Sequence, residues 1–540
     1  MQRNLPELEE LKSLSIESAS IAAGVSSATI RNWIKTGYLT QTGKGQISRE
    51  SLEHFIKNVA GTEKLNSRAN KKHKDTHDHH DITQKINDLL VQSSAEQIGD
   101  EYENLLADSH RNKEGIYYTP QEIVRDMLDK AQITAHSRFL DPCCGSGNFI
   151  IEALRKGLAP ENVFGFDTDE NAVAIVKKRI RDEFNFDSPN IKVGDFFEEA
   201  IVLKNQGLTF DLIFTNPPWG KKLEKSEKEH LAKVFNCGTS NDTSSLFMGA
   251  SLELLKKDGF LGFLVQEALF NIATFEDVRA RVLEKEILYL IDYGKAFKGL
   301  ITKAQTIIIK NAPAAGHLTV CNVEGVSFRR PQDSFKKNPK KIFNFWATEE
   351  DSKVIEQLYS VPHKILLGNA KWALGIVTGN NDRFCTSEPS EGYVPIYKGL
   401  DITKSGLKEA TTFIRKDFSS CQQVAPLEMY EAKEKIIYKF ISSKLCFFYD
   451  DKGRYILNSA NLLIPNIGIP AKQLTDMLNS EIINWLFQKL FNTHKVLRGD
   501  LEMLPLHTGF FDSHSTFNEA DYLNYLGITK NEDGTYRVKR

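Results

Sequence analysis

The segment DLIFTNPPWG, residues 211–220, places a distinctive tetrapeptide directly after an apolar run. The run LIF predicts a short buried strand, so Asn216, Pro217, Pro218 and Trp219 follow at the edge of a sheet. Two consecutive prolines remove two backbone donors and stiffen the loop, which leaves carbonyl groups free and fixed in direction. We interpret the tetrapeptide as a rigid hydrogen-bond acceptor.

Such an acceptor suits the activation of an aromatic amine. The amine of adenine is a poor nucleophile because its lone pair is delocalised into the ring. If the Asn216 side-chain oxygen and the Pro217 carbonyl accept its two N–H bonds, the nitrogen is drawn towards a tetrahedral geometry. Trp219 would stack on the purine face. The alternative is an ordinary turn between a strand and a helix.

The segment DPCCGSG, residues 141–147, has the pattern of a ligand-binding turn. An apolar run ends at Asp141, the turn contains Gly145 and Gly147, and a helical pattern begins near Asn148. This order of strand, glycine turn and helix lets a ligand approach backbone N–H groups at the carboxyl end of a parallel sheet. The absence of GxGxxG and of a Lys-Ser/Thr pair favours a nucleoside ligand without phosphates.

Two further acidic residues end predicted strands. Asp167 in NVFGFD is placed to accept hydrogen bonds from both hydroxyls of a ribose. Asp195 in NIKVGDFF would bind an adenine amine, and Phe196 would lie on the adenine face. The alternative is that Asp195 caps a helix and Phe196 belongs to the core. Together the three strand ends suit S-adenosylmethionine as the cofactor.

The bulk composition fits a multidomain cytosolic protein. The 540 residues, 41% hydrophobic and 26% charged, predict three or four folding units, and the net charge of −2 gives no global signal for nucleic acid. The seven cysteines, unevenly spaced, are interpreted as reduced thiols. No apolar run approaches the roughly 18 residues of a membrane span, and the N-terminus is charged, so a cytoplasmic location is expected.

Four regions follow one another along the chain. Residues 1–60 predict a helix-turn-helix with a wing, in which Ser27, Thr29, Arg31 and Lys35 lie on the second helix. Residues 61–81 are polar and predict a flexible linker, whose histidines we interpret as solvated rather than metal-binding; these are His73, His77, His79 and His80. No metal site is predicted.

Residues 82–310 alternate helical segments with short apolar runs, which predicts a mostly parallel, doubly wound α/β sheet covered on both faces. The runs are SRFLDP, NVFGFD, FDLIFTN, GFLGFLV, ILYLIDY and AQTIIIK. Beyond residue 310 short mixed elements predict a separate α+β domain over residues 311–540.

These motifs resemble those of the N6-adenine DNA methyltransferases of Type II restriction–modification systems. GIYYTP at 115–120, DPCCGSG, GFD, GDF and NPPW match the family's motifs in order, over roughly residues 95–310. The resemblance implies a Rossmann-like methyltransferase domain followed by a C-terminal target recognition domain. VQEALF at 265–270 departs from its motif, which usually has a proline after the strand.

The resemblance also implies roles for residues in these motifs. Phe297 matches an aromatic that stacks on a flipped target base, opposite the catalytic tetrapeptide. The implied cofactor-binding residues are Tyr118, Thr119, Pro120, Asp141, Cys143, Gly145, Gly147, Asp167, Thr168, Asp195 and Phe196.

The expected partner is double-stranded DNA, bound by a monomer. An adenine inside a duplex hides its amine, so the enzyme must swing the nucleotide out of the stack. Methylation would protect the site from a cognate restriction endonuclease, which need not bind this chain. Candidate phosphate or base contacts are Arg31 in the helix-turn-helix and, in the C-terminal domain, Asn380, Asn381, Arg383, Lys398, Lys495 and Arg498.

Several alternatives stay open. RNA and protein-glutamine methyltransferases also use an NPP tetrapeptide, and methylation of cytosine N4 is disfavoured because that chemistry usually has Ser in place of Asn216. A fused endonuclease is disfavoured because the N-terminal residues lack evident metal-binding acids with a nearby ExK. A non-catalytic DNA-binding regulator that keeps the fold is the third alternative.

Overall fold

The structure is a computed structural model that describes residues 13–23, 27–35, 38–43, 45–58, 98–105, 118–219, 223–297, 302–403, 406–491 and 495–539. The predicted linker, 61–81, lies outside these residues. Two compact units are present. One comprises Met1–His79, Pro362–Gln488 and Thr493–Tyr522; the other comprises His80–Val361, Lys489–Asn492 and Leu523–Arg540.

The described N-terminal residues form three helices and a small antiparallel sheet, the elements that the predicted winged helix-turn-helix requires. Its elements are β1 (Ser13–Ser15), α1 (Ile16–Ala22), α2 (Ser27–Lys35), β2 (Gln41–Gly43), β3 (Gln46–Ser48) and α3 (Arg49–Asn58). The strands pair in the order β1-β3-β2. Ile30 and Trp33, on the apolar stripe of α2, are buried, and the Trp33 ring packs against Phe55 with centroids 4.6 Å apart.

The second unit contains a nine-stranded sheet with helices between the strands. Its strands are β4 (Phe139–Asp141), β5 (Val163–Asp167), β6 (Ile191–Val193), β7 (Phe210–Thr215), β8 (Leu255–Gln266), β9 (Lys285–Asp292), β10 (Ala304–Pro313), β11 (His317–Asn322) and β12 (Ser327–Pro331). Its helices are α4 (Ile98–Leu105), α5 (Gln121–Leu128), α6 (Asn148–Arg155), α7 (Glu170–Phe184), α8 (Phe196–Asn205), α9 (Lys225–Val234), α10 (Thr243–Leu254), α11 (Ala268–Asn271), α12 (Glu276–Val282) and α13 (Glu349–Ser360).

The strand order is β12-β11-β9-β10-β8-β7-β4-β5-β6. Strands β4, β5, β6, β7 and β8 pair in parallel with one another, whereas β10 runs antiparallel to its two neighbours, β8 and β9. The carboxyl ends of β4, β5, β6 and β7 therefore meet at one edge. Leu212 and Phe214 pack in one hydrophobic core and Ile213 in the other, so both faces of the sheet are covered. The predicted doubly wound α/β fold is confirmed.

The large sheet continues beyond residue 310. That residue lies within β10, and β11 and β12 extend the sheet to Pro331. The compact unit itself runs to Val361. Strand β12 has the sequence SFRRP, in which three of five residues are polar and Ser327 and Arg329 are exposed. Such an edge strand lacks the continuous apolar run that identifies a central parallel strand.

The C-terminal α+β region has two four-stranded sheets, β13-β22-β19-β20 and β14-β18-β15-β21. Its strands are β13 (Ala370–Leu374), β14 (Cys385–Thr386), β15 (Tyr393–Tyr397), β16 (Ile402–Thr403), β17 (Gly406–Leu407), β18 (Phe413–Arg415), β19 (Lys435–Lys439), β20 (Phe447–Asp450), β21 (Tyr455–Ile456) and β22 (Ala460–Pro465). Its helices are α14 (Asn381–Phe384), α15 (Leu427–Glu431), α16 (Ala471–Leu478), α17 (Glu481–Leu490), α18 (Arg498–Leu501) and α19 (Glu519–Leu526), and the chain ends with β23 (Ile528–Lys530) and β24 (Tyr536–Val538).

Two further findings bear on the sequence predictions. Within the described ranges no helix combines the length and apolar character that crossing a bilayer requires. All seven cysteines fall within described residues and carry free thiols, as predicted.

Candidate active site

The glycine turn leaves the carboxyl end of β4 at Asp141. This carboxylate is buried, and its Oδ1 accepts hydrogen bonds from the Thr215 hydroxyl at 2.7 Å and from the Cys143 backbone N–H at 3.2 Å. Burial raises the pKa of Asp141 to about 7, although the hydrogen bonds from Thr215 and Cys143 oppose the rise. Asp141 thus fixes the first half of the turn from within the protein.

The two glycines of the turn have positive φ angles, +50° at Gly145 and +89° at Gly147. A Cβ atom at Gly147 would lie 2.2 Å from Val176 Cγ2, so no side chain fits between the turn and α7. A Cβ atom at Gly145 would lie 3.1 Å from the Tyr118 ring. The turn therefore brings its backbone close to its neighbours, as a loop that cradles a ligand must.

Asp167, at the end of β5, is tied to the same turn. Its Oδ2 accepts a hydrogen bond from the Gly145 N–H at 2.9 Å, and its Oδ1 accepts one from the Asp169 N–H at 2.9 Å. These two amides hold the half-buried carboxylate in one orientation. A carboxylate that is fixed in this way is suited to accept further hydrogen bonds from a diol. Thr168, the next residue, is exposed.

Tyr118, Thr119 and Pro120 lie against the turn, with the first two buried. The Thr119 carbonyl accepts a hydrogen bond from Asn148 Nδ2 at 3.1 Å, which joins this segment to the start of α6. The Tyr118 ring packs edge-on against Tyr102 of α4, with centroids 6.2 Å apart. The structure thus brings Tyr118 and Thr119, which belong to the GIYYTP motif, to the glycine turn.

Tyr102 is a site residue that the sequence analysis missed. Its hydroxyl donates a hydrogen bond to Asp169 Oδ2, and Asp169 also caps α7 through Asn171. Burial raises the pKa of Tyr102, and the hydrogen bond to Asp169 adds to the rise. No sequence motif surrounds Tyr102, so its contacts with Asp169 and Tyr118 become evident only from the position of α4 in the fold.

Asp195 and Phe196 have structural contacts of their own. Asp195 caps α8, since its Oδ1 accepts a hydrogen bond from the Phe197 N–H at 2.8 Å. The Phe196 ring is buried and stacks on Phe247 with centroids 5.4 Å apart. These contacts match the alternative interpretation, in which Asp195 caps a helix and Phe196 belongs to the core. Adenine binding by the two residues stays a prediction.

The loop that carries Asn216-Pro217-Pro218-Trp219, the candidate catalytic loop, leaves β7 beside the glycine turn. The Cys143 thiol lies 3.0 Å from Thr215 Oγ1 and 3.3 Å from the backbone oxygen of Asn216. Pro217 is buried, Pro218 is half-buried, and the Asn216 Oδ1 atom is shielded from solvent. The structure therefore brings the glycine turn and the tetrapeptide into contact. Thr215 itself was missed because threonine at a strand end is common.

Trp219 and Phe297 also come together, although they are far apart in the sequence. Their rings meet edge to face, with centroids 5.0 Å apart and planes at 89°. Both side chains are buried. A base stacked between them would need about 7 Å, at roughly 3.5 Å for each contact. The two rings must therefore separate before a base enters between them.

The candidate DNA contacts lie in the other unit. On α14, Asn380 caps the helix, Asn381 accepts a hydrogen bond from Thr378 at 2.6 Å, and the Arg383 guanidinium lies 5.3 Å from the Phe384 ring. Arg383 is exposed and Lys398 is half-buried. In the N-terminal region Arg31 is exposed on α2.

Lys495 and Arg498 are exposed near the start of α18. Two contacts orient the Arg498 side chain. Its Nε donates to Glu502 at 2.7 Å, and its guanidinium lies 5.6 Å from the Trp372 ring centroid. These contacts leave the outer guanidinium nitrogens available for a partner with fixed geometry.

Comparisons with known proteins identify the family of this chain. The family model described as N-6 DNA Methylase matches residues 93–361, and that of the TaqI-like C-terminal specificity domain matches residues 394–506. The chain is 45% identical over 409 residues to the Type II methyltransferase M.VspI of Vibrio sp. (strain 343), a match that covers 75% of this chain and 100% of the relative.

Two more distant similarities were found. The chain is 27% identical over 228 residues to the modification methylase CviBIII of Paramecium bursaria Chlorella virus NC1A, covering 41% of this chain and 56% of the relative. A solved DrdV–DNA complex matches with a TM-score of 0.51 at 13% identity, covering 92% of this chain and 71% of that chain. That likeness shows the fold alone.

The chain belongs to the N-6 DNA methylase family, as a Type II DNA methyltransferase of a restriction–modification system. The family resemblance that the sequence motifs predicted is confirmed. The winged helix-turn-helix precedes both matched ranges.

Proposed function

We propose that this enzyme transfers the methyl group of S-adenosylmethionine to N6 of adenine within a short sequence of double-stranded DNA. The observation that carries the proposal is the junction of the glycine turn with the NPPW loop, where the Cys143 thiol lies 3.3 Å from the Asn216 backbone oxygen. A cofactor held by the first loop would lie next to an amine held by the second.

The residues at the glycine turn fit this cofactor. Backbone amides of a left-handed glycine turn and a fixed carboxylate at Asp167 suit a nucleoside, and the two buried tyrosines at the turn suit its apolar parts. Asp195 and Phe196 would bind the adenine ring, and Thr119 would contribute polar groups at the other end. When bound, S-adenosylmethionine supplies an electrophilic methyl group on a sulfonium.

The chain's own residues would hold the target amine. Asn216 Oδ1 and the Pro217 carbonyl accept its two N–H bonds, which directs the nitrogen lone pair towards the methyl donor. Trp219 and Phe297 stack on the two faces of the flipped base after their rings separate. No strong base is required, because the fixed acceptors polarise the amine directly. As the bond between the amine nitrogen and the methyl group forms, the bond between the methyl group and sulfur would break, and the extra proton on the nitrogen would pass to solvent.

Sequence recognition is assigned to the C-terminal specificity domain. Arg498, which Glu502 and Trp372 orient, is suited to bidentate recognition of a guanine edge, and the other exposed basic residues are suited to phosphates. The winged helix-turn-helix adds a further DNA contact through Arg31. Methylation protects the site from a cognate endonuclease, and we expect a monomer to act on DNA.

The direct test is to map modified bases in DNA from cells that express the full chain. We expect N6-methyladenine at one position of one short sequence. The Asn216→Ala variant, which keeps the prolines and Trp219, should leave that sequence unmodified. Methylated cytosine at the mapped site, or methylation of RNA alone, would contradict the proposal.

A further inference from the structure

Asp141 and Thr215 end two neighbouring strands of the large sheet. Strands β4 and β7 are parallel, with Leu140 opposite Ile213, so both polar residues leave the sheet at the same edge. The Thr215 hydroxyl is 2.7 Å from Asp141 Oδ1. Both side chains are almost wholly buried, at 0% and 1% exposure, so water does not compete for this hydrogen bond.

Cys143 connects this pair to the catalytic loop. Its backbone N–H donates to the same Asp141 oxygen, and its thiol is within reach of both Thr215 Oγ1 and the Asn216 carbonyl. Because the Thr215 hydrogen is directed at Asp141, the Thr215 oxygen and the Asn216 carbonyl are the acceptors that face the thiol. The backbone and the side chain of Cys143 thus join the two loops.

The peptide bond between Asn216 and Pro217 has fewer polar groups than an ordinary peptide bond. Its nitrogen belongs to Pro217 and carries no hydrogen, so the carbonyl is the only polar backbone group that can anchor this peptide. A thiol that donates to this carbonyl restrains the peptide plane. The direction in which the Asn216 side chain leaves the backbone is restrained with it.

We propose that Asp141, Thr215 and Cys143 form a clamp that positions Asn216 for methyl transfer. The inference rests on the proposed function, in which Asn216 holds the target amine. The three residues act through Asn216 and are therefore positioning residues. Displacement of a reacting group by about 1 Å typically slows an enzyme by about 100-fold, so loss of the clamp should lower the rate of the chemical step.

The competing explanation is that the glycine turn and Cys143 serve cofactor binding alone. The two explanations predict different kinetics. Loss of a cofactor contact raises the dissociation constant of S-adenosylmethionine, and a saturating concentration restores the rate. Loss of positioning lowers the rate at saturation and leaves the dissociation constant nearly unchanged.

The test compares Thr215→Val, which keeps the shape and removes the hydroxyl, with Thr215→Ser, which keeps the hydroxyl. Single-turnover methylation of a duplex carrying the mapped site is measured with the full chain at saturating S-adenosylmethionine, and cofactor affinity is measured by calorimetry. We expect Thr215→Val to be slower by about 10- to 100-fold, with cofactor affinity within about twofold of wild type. Thr215→Ser should recover most of the rate.

A second pair keeps the inference testable if Thr215→Val folds poorly. Cys143→Ala removes the donor to the Asn216 carbonyl, and Cys143→Ser retains a donor. The rate should fall in the alanine variant and partly recover in the serine variant. A full rate in both valine and alanine variants, or a loss that more S-adenosylmethionine reverses, would overturn the clamp.

The Asn216→Ala variant separates the clamp from the proposed function. If Asn216→Ala is inactive while Thr215→Val has the wild-type rate, the clamp is wrong and the proposed function stands. If Asn216→Ala methylates adenine at the full rate, the proposed function fails. A lower melting temperature of Thr215→Val with an unchanged rate at 25 °C would show a structural role only, which also overturns the clamp.

Discussion

The indole of Trp219 and the ring of Phe297 contact each other edge to face, with centroids 5.0 Å apart, at the place where the proposed mechanism needs a flipped base. In the proposed mechanism, each ring therefore covers the surface of the other on which a base would stack. A flipped base that enters between the two rings would replace their contact with each other by one stacking contact on each ring. This exchange offsets part of the cost of a few kcal/mol for extracting a nucleotide from the stack.

We therefore predict that Trp219→Ala lowers kcat/KM by about 5- to 150-fold, the loss expected from about 1 to 3 kcal/mol of stacking. Trp219→Phe, which keeps an aromatic face, should lose much less. The measurement is methylation of a duplex carrying the mapped site, together with 2-aminopurine fluorescence at the target position. Equal rates for the alanine and phenylalanine variants would show that no base stacks on this residue.

A second prediction concerns Asp167, which two backbone amides hold at the end of β5. Asp167→Asn removes the charge that a ribose diol would meet, and hydrogen bonds to charged groups contribute about 1.5 to 3 kcal/mol. S-adenosylmethionine should bind about 10- to 100-fold more weakly by calorimetry. Asp187→Asn is the control, because Asp187 is 81% exposed in its pair with Arg181. Equal effects of the two substitutions would refute the assignment.

A third prediction compares two glycines with similar backbone angles. Gly147 has φ +89° and no room for a Cβ atom beside Val176, whereas Gly157 has φ +95° and nothing within 4 Å. Gly157→Ala should cost about 1 to 2 kcal/mol of stability, because a residue with a Cβ atom is strained at a positive φ. Gly147→Ala should cost about 1 to 3 kcal/mol more, since overpacking adds to the strain. Urea unfolding midpoints measure the difference in stability between the two variants. Adding Val176→Ala to Gly147→Ala should reduce this difference, because it makes room for the new Cβ atom.

The strand ends could be predicted from the sequence because proline, glycine or acidic residues interrupt strong apolar runs there. Because the strands that precede them are parallel, the same edge of the sheet must carry Asp141, Asp167 and the NPPW loop. Contacts that join distant segments could not be predicted. Tyr102 reaches Asp169 from a separate helix, and the buried Lys435 amine pairs with Asp450 of the next strand. Such contacts depend on packing, which leaves no periodic signal in the sequence.

A fourth prediction concerns Arg31, which is exposed on α2. The sequence of α2, SATIRNWIK, has two basic residues and no acidic one, so its charge is complementary to phosphate. In the full chain, Arg31→Ala should weaken binding to duplex DNA and reduce the slope of log affinity against log salt by about 1. The single-turnover rate on bound DNA should not change. An unchanged salt dependence would show that α2 does not contact phosphate.

The last prediction follows from the buried carboxyl of Asp141, whose pKa burial raises to about 7. In the unfolded chain an aspartate titrates near 3.9, so between about pH 4 and pH 7 the folded protein holds a proton that the unfolded chain has lost. The contribution of this group to the free energy of unfolding therefore falls as pH rises through that window, and the loss is complete above pH 7. Asp141→Asn carries no such proton and keeps an acceptor for Thr215.

The stability of Asp141→Asn relative to wild type should consequently increase from pH 5 to pH 8. Asp500, whose pKa burial also raises to about 7, is present in both proteins and cancels in the difference. Urea unfolding of the two proteins at pH 5, 6.5 and 8 measures this difference. If the asparagine variant instead loses stability relative to wild type as pH rises, the ionised carboxylate is the better partner for Thr215 and Cys143. In that case the hydrogen bonds from Thr215 and Cys143 stabilise the ionised Asp141 by more than burial destabilises it.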